Sequence, residues 1–223
     1  MNAKRTLVAK RTTPAAVGLR VKSGWATAVV LGGPPGAPFF LGRHFVELSD
    51  PKIPSSRQPY HADFATLQTN AAIVRRLVGV VRQATQRSLS ALVRESRMRG
   101  HTLRGLGLVV GSVIDPELIS NEHIRAHAYE GRLFRMALER AASRRHLPCR
   151  IVLERSLFAT AARELHVTDQ EVRKVIATLG REAGRPWRTE EKAAAVAAWL
   201  VLASRSGPAT GRPMGNRKTA TPR

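Results

Sequence analysis

The 223-residue sequence is short of acid, cysteine, aromatic rings and long apolar runs. Lys and Arg number 37 against 16 Asp and Glu, a formal net charge of +21. Such an imbalance adds self-repulsion and no stability, so it points to a polyanionic partner, nucleic acid before an anionic membrane. The plain alternative is a basic protein whose arginines only solvate its faces. The single Cys149 excludes an internal disulfide and a cysteine-rich zinc site. Its place in the apolar run "LPCRIVLER" reads as a buried free thiol in a reducing, cytoplasmic or nucleoid-associated setting. Aromatics are 5% of the chain, too few for a base-stacking single-strand platform, and Trp25, Trp187 and Trp199 read as packing residues. No stretch is long and apolar enough for a membrane span, and "MNAKRTLVAKRTTP" has no apolar signal core. "GGPPGAP" carries prolines where a phosphate cradle needs N–H donors, and no G-x-S-x-G elbow occurs.

What is present falls into an ordered series. Residues 1–14 and 205–223 lack periodicity and read as disordered basic arms around one domain, 15–204. "AAVGLRVK" and "WATAVVLGG" read as strands joined by a Ser23-Gly24 turn, and "FFLGRHFVEL" as a third. A helix is expected from about Asp63 to Arg99, then a doubly buried strand in "TLRGLGLVVGSVI". A second long helix opens at Pro116 and reaches about His146, and "CRIVLE" is a fifth strand. Three helices close the domain: "SLFATAAREL", "TDQEVRKVIATLG" with a Thr168–Glu171 capping box and an end at Gly180, and "TEEKAAAVAAWLVLA" capped by Thr189. The order β-β-β-α-β-α-β-α predicts a mixed α/β (α+β) sheet with helices on both faces.

Two constellations carry chemistry. On the first long helix Arg75, Arg76, Arg82, Arg87, Arg94 and Arg97 share an arc of about 140° at 100° per residue. Their planar forks suit phosphates, and Glu95 is almost the only acid on that helix. The bland reading is a solvated outer face. On the second helix "SNEHIRAHAYEG" puts His123 and His127 at i and i+4 and Glu130 at i+7, within about 60° of one another. Two imidazoles and a carboxylate can chelate a divalent ion, zinc at the histidine pair or Mg²⁺ or Mn²⁺. Phe134, Leu138 and Ala141 continue that face, so the trio points inward, where mutual hydrogen bonding is the ordinary alternative. Asp115 is the nearest further carboxylate. His61 and Asp63 in "RQPYHADF" form a second small cluster, in which Asp63 reads as a cap or turn residue.

The series resembles the ribonuclease H-like fold and, in its details, the RuvC-type Holliday junction resolvases, from about Ala15 to Ala203. "VGLRVKSGWATAVVL" is similar to that family's opening strand I-G-I-D-P-G, its turn and T-G-x-x-V. "GLVVGSVIDPEL", "LPCRIVLERSLFATAAREL" and "TDQEVRKVIATL" are similar to the stretch from strand four onward, and "EEKAAAVAAWLVLA" to the closing D-x-A-D-A-x-A-x-A helix. The resemblance implies phosphodiester cleavage by two Mg²⁺ ions on four carboxylates, and it admits a homodimer. This sequence departs at each carboxylate position. Arg20 stands on strand one, Gly111 or Ser112 at the end of strand four, and Thr189 and Lys192 on the last helix, with Glu190 or Glu191 one or two positions away. Only four aspartates exist, Asp50, Asp63, Asp115 and Asp169. An arginine in a cation site repels the cation.

The expectation is therefore a ribonuclease H-like domain that binds DNA or RNA without cutting it and without a resident cofactor. Arg20, Lys22, Arg75, Arg76, Arg82, Arg87, Arg94 and Arg97 would face phosphates. The rival is a metal-dependent nuclease or phosphoesterase with a relocated site at His123, His127 and Glu130, for which Asp115, Glu130 and Glu191 are the candidate catalytic carboxylates. A third reading is a subunit of a larger nucleoprotein or DNA-processing complex, inactive alone.

Overall fold

The computed structural model describes residues 12–63 and 66–204. The basic arms expected at 1–14 and 205–223 lie outside the described residues except for 12–14, of which Thr13 and Pro14 belong to the first strand. Pro14 is tolerated because the strand has a neighbour on one side only at that point: it pairs with Thr102, and pairing on the other side begins at Ala15.

Five strands form one sheet: β1 (Thr13–Lys22), β2 (Trp25–Gly32), β3 (Phe39–Glu47), β4 (His101–Val110) and β5 (Cys149–Leu153). Their spatial order is β3-β2-β1-β4-β5. β2 runs antiparallel to β1 and β3, and β1, β4 and β5 are mutually parallel. Gly24, at φ 83°, makes the tight β1–β2 turn that a side chain would resist, and its carbonyl accepts from the backbone of Leu48 and Ser49. The helices are α1 (Ala71–Met98), α2 (Glu122–Ser143), α3 (Leu157–Leu165), α4 (Asp169–Ala183) and α5 (Thr189–Ala203).

The period-2 alternation of β1 divides the core. Val17, Leu19 and Val21 point to the α1/α2 side with Leu89, Leu92, Phe134 and Leu138. Ala16 and the opposite positions face α3, α4 and α5. α5 is apolar around most of its circumference and buried from Ala193 to Leu202. This is the mixed five-stranded α/β sheet with helices on both faces that the sequence order predicts.

Several boundaries differ from the sequence reading. α1 starts at Ala71 and not near Asp63, because the segment before it pairs across itself: Gln68 donates its backbone N–H to Tyr60, and His61 bridges to Leu67. Asn70 caps α1, accepting from Ala72 and Ile73. Asp63 caps no helix; its carbonyl accepts from the backbone of Thr66. Pro116 opens only a 3₁₀ turn, and α2 begins at Glu122 under Asn121. The Thr168–Glu171 capping box is formed as expected, but α4 runs past Gly180 to Ala183. Thr189 is the first residue of α5 and not its cap; the carboxylate of Glu191 accepts the N–H of Arg188 at 2.8 Å instead.

Candidate functional site

The carboxyl ends of β1 and β4 bound a crevice where chain connections diverge, β1 turning to β2 and β4 feeding α2 on the way to β5. In open α/β sheets this is where ligands settle. Here it holds a cavity of about 450 Å³ lined by Arg20–Ser23, Val110–Ile114 and the inner side of α2 from Ile124 to Arg135.

The resemblance implies a pair of Mg²⁺ ions at this edge, and the residues present do not fit them. Arg20, at the strand-one position, is 5% exposed. Its Nε donates to Glu154 Oε1 at 3.0 Å, its Nη2 donates to Glu154 Oε2, and its Nη1 donates to the carbonyl of Val21 at 2.7 Å. The guanidinium expected to face a phosphate is therefore engaged in a fork-to-fork ion pair. Lys22 lies 3.6 Å from Glu190. Glu154 and Glu190 are thus each matched to a cation, and Gly111 and Ser112 add no carboxylate. Glu191, a candidate catalytic carboxylate, serves as a helix-terminal acceptor. Asp115 accepts from Glu117 N and lies 3.3 Å from Arg132.

The histidines do converge, and a third joins them. His61 enters from the segment before α1 and meets His123 and His127, with one ring nitrogen from each lying within 4.8 Å of the others. His123 Nε2 and His127 Nε2 are 3.3 Å apart. Glu130 is fully buried, and its Oε1 is 2.7 Å from His61 Nδ1. Its Oε2 lies 3.7 Å from His127 Nδ1 and 3.5 Å from Ser23 Oγ, which donates to it. Burial pushes the Glu130 carboxyl above its usual range, while the hydrogen bond from His61 pulls it back. Burial, then repulsion from His61 and His123, lowers the pKa of His127. Glu130 stands behind His61 and is not part of the converging nitrogen set, a correction to the expected His-His-Glu chelate. The sequence grouped His61 with Asp63 and not with His123 and His127, because those partners lie more than sixty positions away.

Arg75, Arg76, Arg82, Arg87, Arg94 and Arg97 are all exposed along the outer side of α1. Arg87 comes within 3.6 Å of Asp50, a distance that matters little between solvated groups. Arg82 also borders the cleft between α1 and α2, where Arg132, Arg140 and the stacked rings of Tyr60 and Tyr129, 4.8 Å apart, complete the walls. Arg140 and Arg144 continue the cleft along α2. His61 follows Tyr60 directly, so this cationic cleft runs up to the histidine cluster.

No protein-family model matches the chain, and no curated protein matches it significantly. Among solved structures it is similar to the RuvC structure from Thermus thermophilus, at 15% identity and a TM-score of 0.47 over 83% of this chain and 92% of that one. A second likeness is to T. thermophilus RuvC in complex with Holliday junction substrate, at 14% identity and a TM-score of 0.48 over 83% and 90%. A third is to the yeast mitochondrial Holliday junction resolvase Ydc2, at 9% identity and a TM-score of 0.40 over 89% and 82%. These are likenesses in the course of the chain, and no residue's role is taken from them.

Proposed function

We propose that this protein is a nucleic-acid-binding domain that grips phosphates through arginines and does not cut them by a paired-Mg²⁺ reaction. One observation carries the reading: the sheet edge suited to a ligand holds a buried Arg20 paired with the half-exposed Glu154, where a cation centre would need unpaired carboxylates. The net charge of +21 supports a polyanionic partner. So do the exposed arginines of α1 and the cleft shared by Arg82, Arg132, Arg140 and Arg144. Binding of this kind rests on counterion release and is steeply salt-dependent.

The test is gel retardation of duplex, four-way-junction and single-stranded substrates over a salt series, with and without Mg²⁺ or Mn²⁺. Retarded and intact substrate, released as salt rises, is the expected result. Absence of retardation at low salt would favour a subunit role within a larger assembly. The second reading, a hydrolase with a relocated metal centre, is favoured by the third imidazole at His61. Metal-dependent cutting that disappears with His127→Ala would replace the first reading by the second.

A further inference from the structure

We propose that His61, His123 and His127 hold one borderline divalent ion of the Zn²⁺ class, with Glu130 as the carboxylate that orients His61. Imidazole nitrogen suits Zn²⁺ and its first-row neighbours and not hard Mg²⁺, so the site takes a different ion from the one the sheet edge would need. The inference does not depend on the nucleic-acid reading.

Four observations converge. The three ring nitrogens lie within 4.8 Å of one another, and they come from two separate chain segments, the one before α1 and the start of α2. The 3.3 Å between His123 Nε2 and His127 Nε2 is the spacing of two nitrogens on one tetrahedral ion with Zn–N bonds of about 2.0–2.1 Å. The same spacing serves an N–H···N bond when the ion is absent, so the pair is held ready in both states. The His61 side chain is only 10% exposed, yet its Nε2 is buried without a hydrogen-bond partner. Buried polar atoms are nearly always paired, and an ion supplies the missing partner.

The fourth observation is the position of Glu130. Its carboxylate accepts from His61 Nδ1–H at 2.7 Å, which fixes the tautomer and leaves the Nε2 lone pair free to coordinate. A carboxylate behind a ligating histidine raises its basicity and fixes its ring, and the loss of such a group costs about 10–100-fold in metal affinity. His127, with 46% of its side chain exposed, lines the cavity beside Lys22 and Arg132. The ion's fourth position opens on that side, to water or to an anionic oxygen. The occupied site would also clip the segment before α1 to α2, next to the cationic cleft.

The experiment uses the full chain, stripped with chelator, reloaded with Zn²⁺ or Co²⁺, and desalted. One ion per chain by elemental analysis is expected, with the intense visible bands of a four-coordinate nitrogen site for Co²⁺. His61→Gln, His123→Gln and His127→Gln should each lose stoichiometric metal, and Glu130→Gln should retain it with affinity weakened by about 10–100-fold. Circular dichroism identifies any variant that fails to fold; the wild-type Co²⁺ spectrum then decides alone. Weak six-coordinate bands in the wild type, or full metal retention by a folded His61→Gln, overturns the proposal. Retardation of nucleic acid by the stripped protein is read separately, so failure of the metal site and failure of the binding reading are distinguishable.

Discussion

Arg20 and Glu154 lie 134 positions apart and meet as a two-pronged ion pair at the carboxyl edge of the sheet. Arg20 alternates with Val17, Leu19 and Val21, so it lies on the opposite face of β1 from theirs, at the edge of the crevice cavity. Its charge is 5% exposed, so the carboxylate is what permits it there. Removing one partner of a fully buried pair costs about 3–5 kcal/mol. Glu154 is 40% exposed, so Glu154→Gln should cost less, about 1–2 kcal/mol, as water partly replaces it. Arg20→Asp should be worse than Glu154→Gln, since it sets two carboxylates face to face. Chemical denaturation of the three proteins checks the order, and an Arg20→Asp variant as stable as wild type would contradict it.

The arginines of α1 make a prediction that separates contact from solvation. A triple Arg75→Glu, Arg82→Glu, Arg94→Glu variant changes only exposed positions, so helicity and thermal midpoint should hold. If these side chains meet duplex phosphates, affinity falls for every sequence alike. The slope of log affinity against log salt then shrinks by about 0.9 for each phosphate that is no longer neutralised. An unchanged slope would place the phosphate-binding side chains on the cleft formed by Arg140 and Arg144 or elsewhere.

Most of the fold was legible because its signals are local. The β1–β2 hairpin declares itself through alternation around Ser23-Gly24, α4 through a capping box, and α5 through an unbroken apolar run. The start of α1 was not, because residues 63–70 contain no Pro or Gly to mark the loop, and Asp63 offers a cap signal as good as that of Asn70. The site was half legible. A helix repeat brings out His123, His127 and Glu130, whereas His61 reaches them only through the backbone pairing of Tyr60 with Gln68. The fate of Arg20 was likewise hidden, since nothing near it in sequence indicates Glu154.

The lowered pKa of His127 gives a pH dependence whose sign can be worked out. Between its folded value and 6.5 the folded chain holds fewer protons at this ring than the unfolded chain. That contribution to stability is therefore present above 6.5 and lost as pH falls below it. Glu130 acts with the opposite sign, because burial raises its pKa and stability from it falls as pH rises above 4.5. Comparing metal-free wild type with His127→Gln isolates the first effect. From about pH 7 to about pH 5.5 the wild-type Tm should drop more than the variant's. Parallel curves would mean that His127 titrates alike in both states.

Cys149 should be inert in the folded chain. Burial, and then the charge of Glu139, pushes its thiol up to about 12. At pH 8 that leaves on the order of one thiolate in 10⁴, and the thiolate is the reactive form. Alkylation by iodoacetamide should be slow in buffer and fast in denaturant. Equal rates would mean that the thiol is open to solvent, contrary to its packing against the core on the α1/α2 side of the sheet.

The sheet and α5 approach so closely that two glycines decide the fit. A Cβ on Gly18 would stand 1.8 Å from the Ala194 carbonyl oxygen and 2.6 Å from the Ala198 nitrogen, and one on Gly107 would stand 2.6 Å from the Ala197 oxygen. These are backbone atoms of a buried helix, so no side-chain rotation relieves the clash. Gly18→Ala must push α5 off β1, at a cost of at least about 1–3 kcal/mol. Gly79, inside α1, has nothing within 4 Å of a new Cβ, so Gly79→Ala should stabilise by about 0.5–1 kcal/mol through helix propensity. Urea midpoints of the two variants should therefore move in opposite directions. A Gly18→Ala midpoint at or above wild type would show that α5 can ride outward freely, contrary to the close backbone approach of α5 to β1.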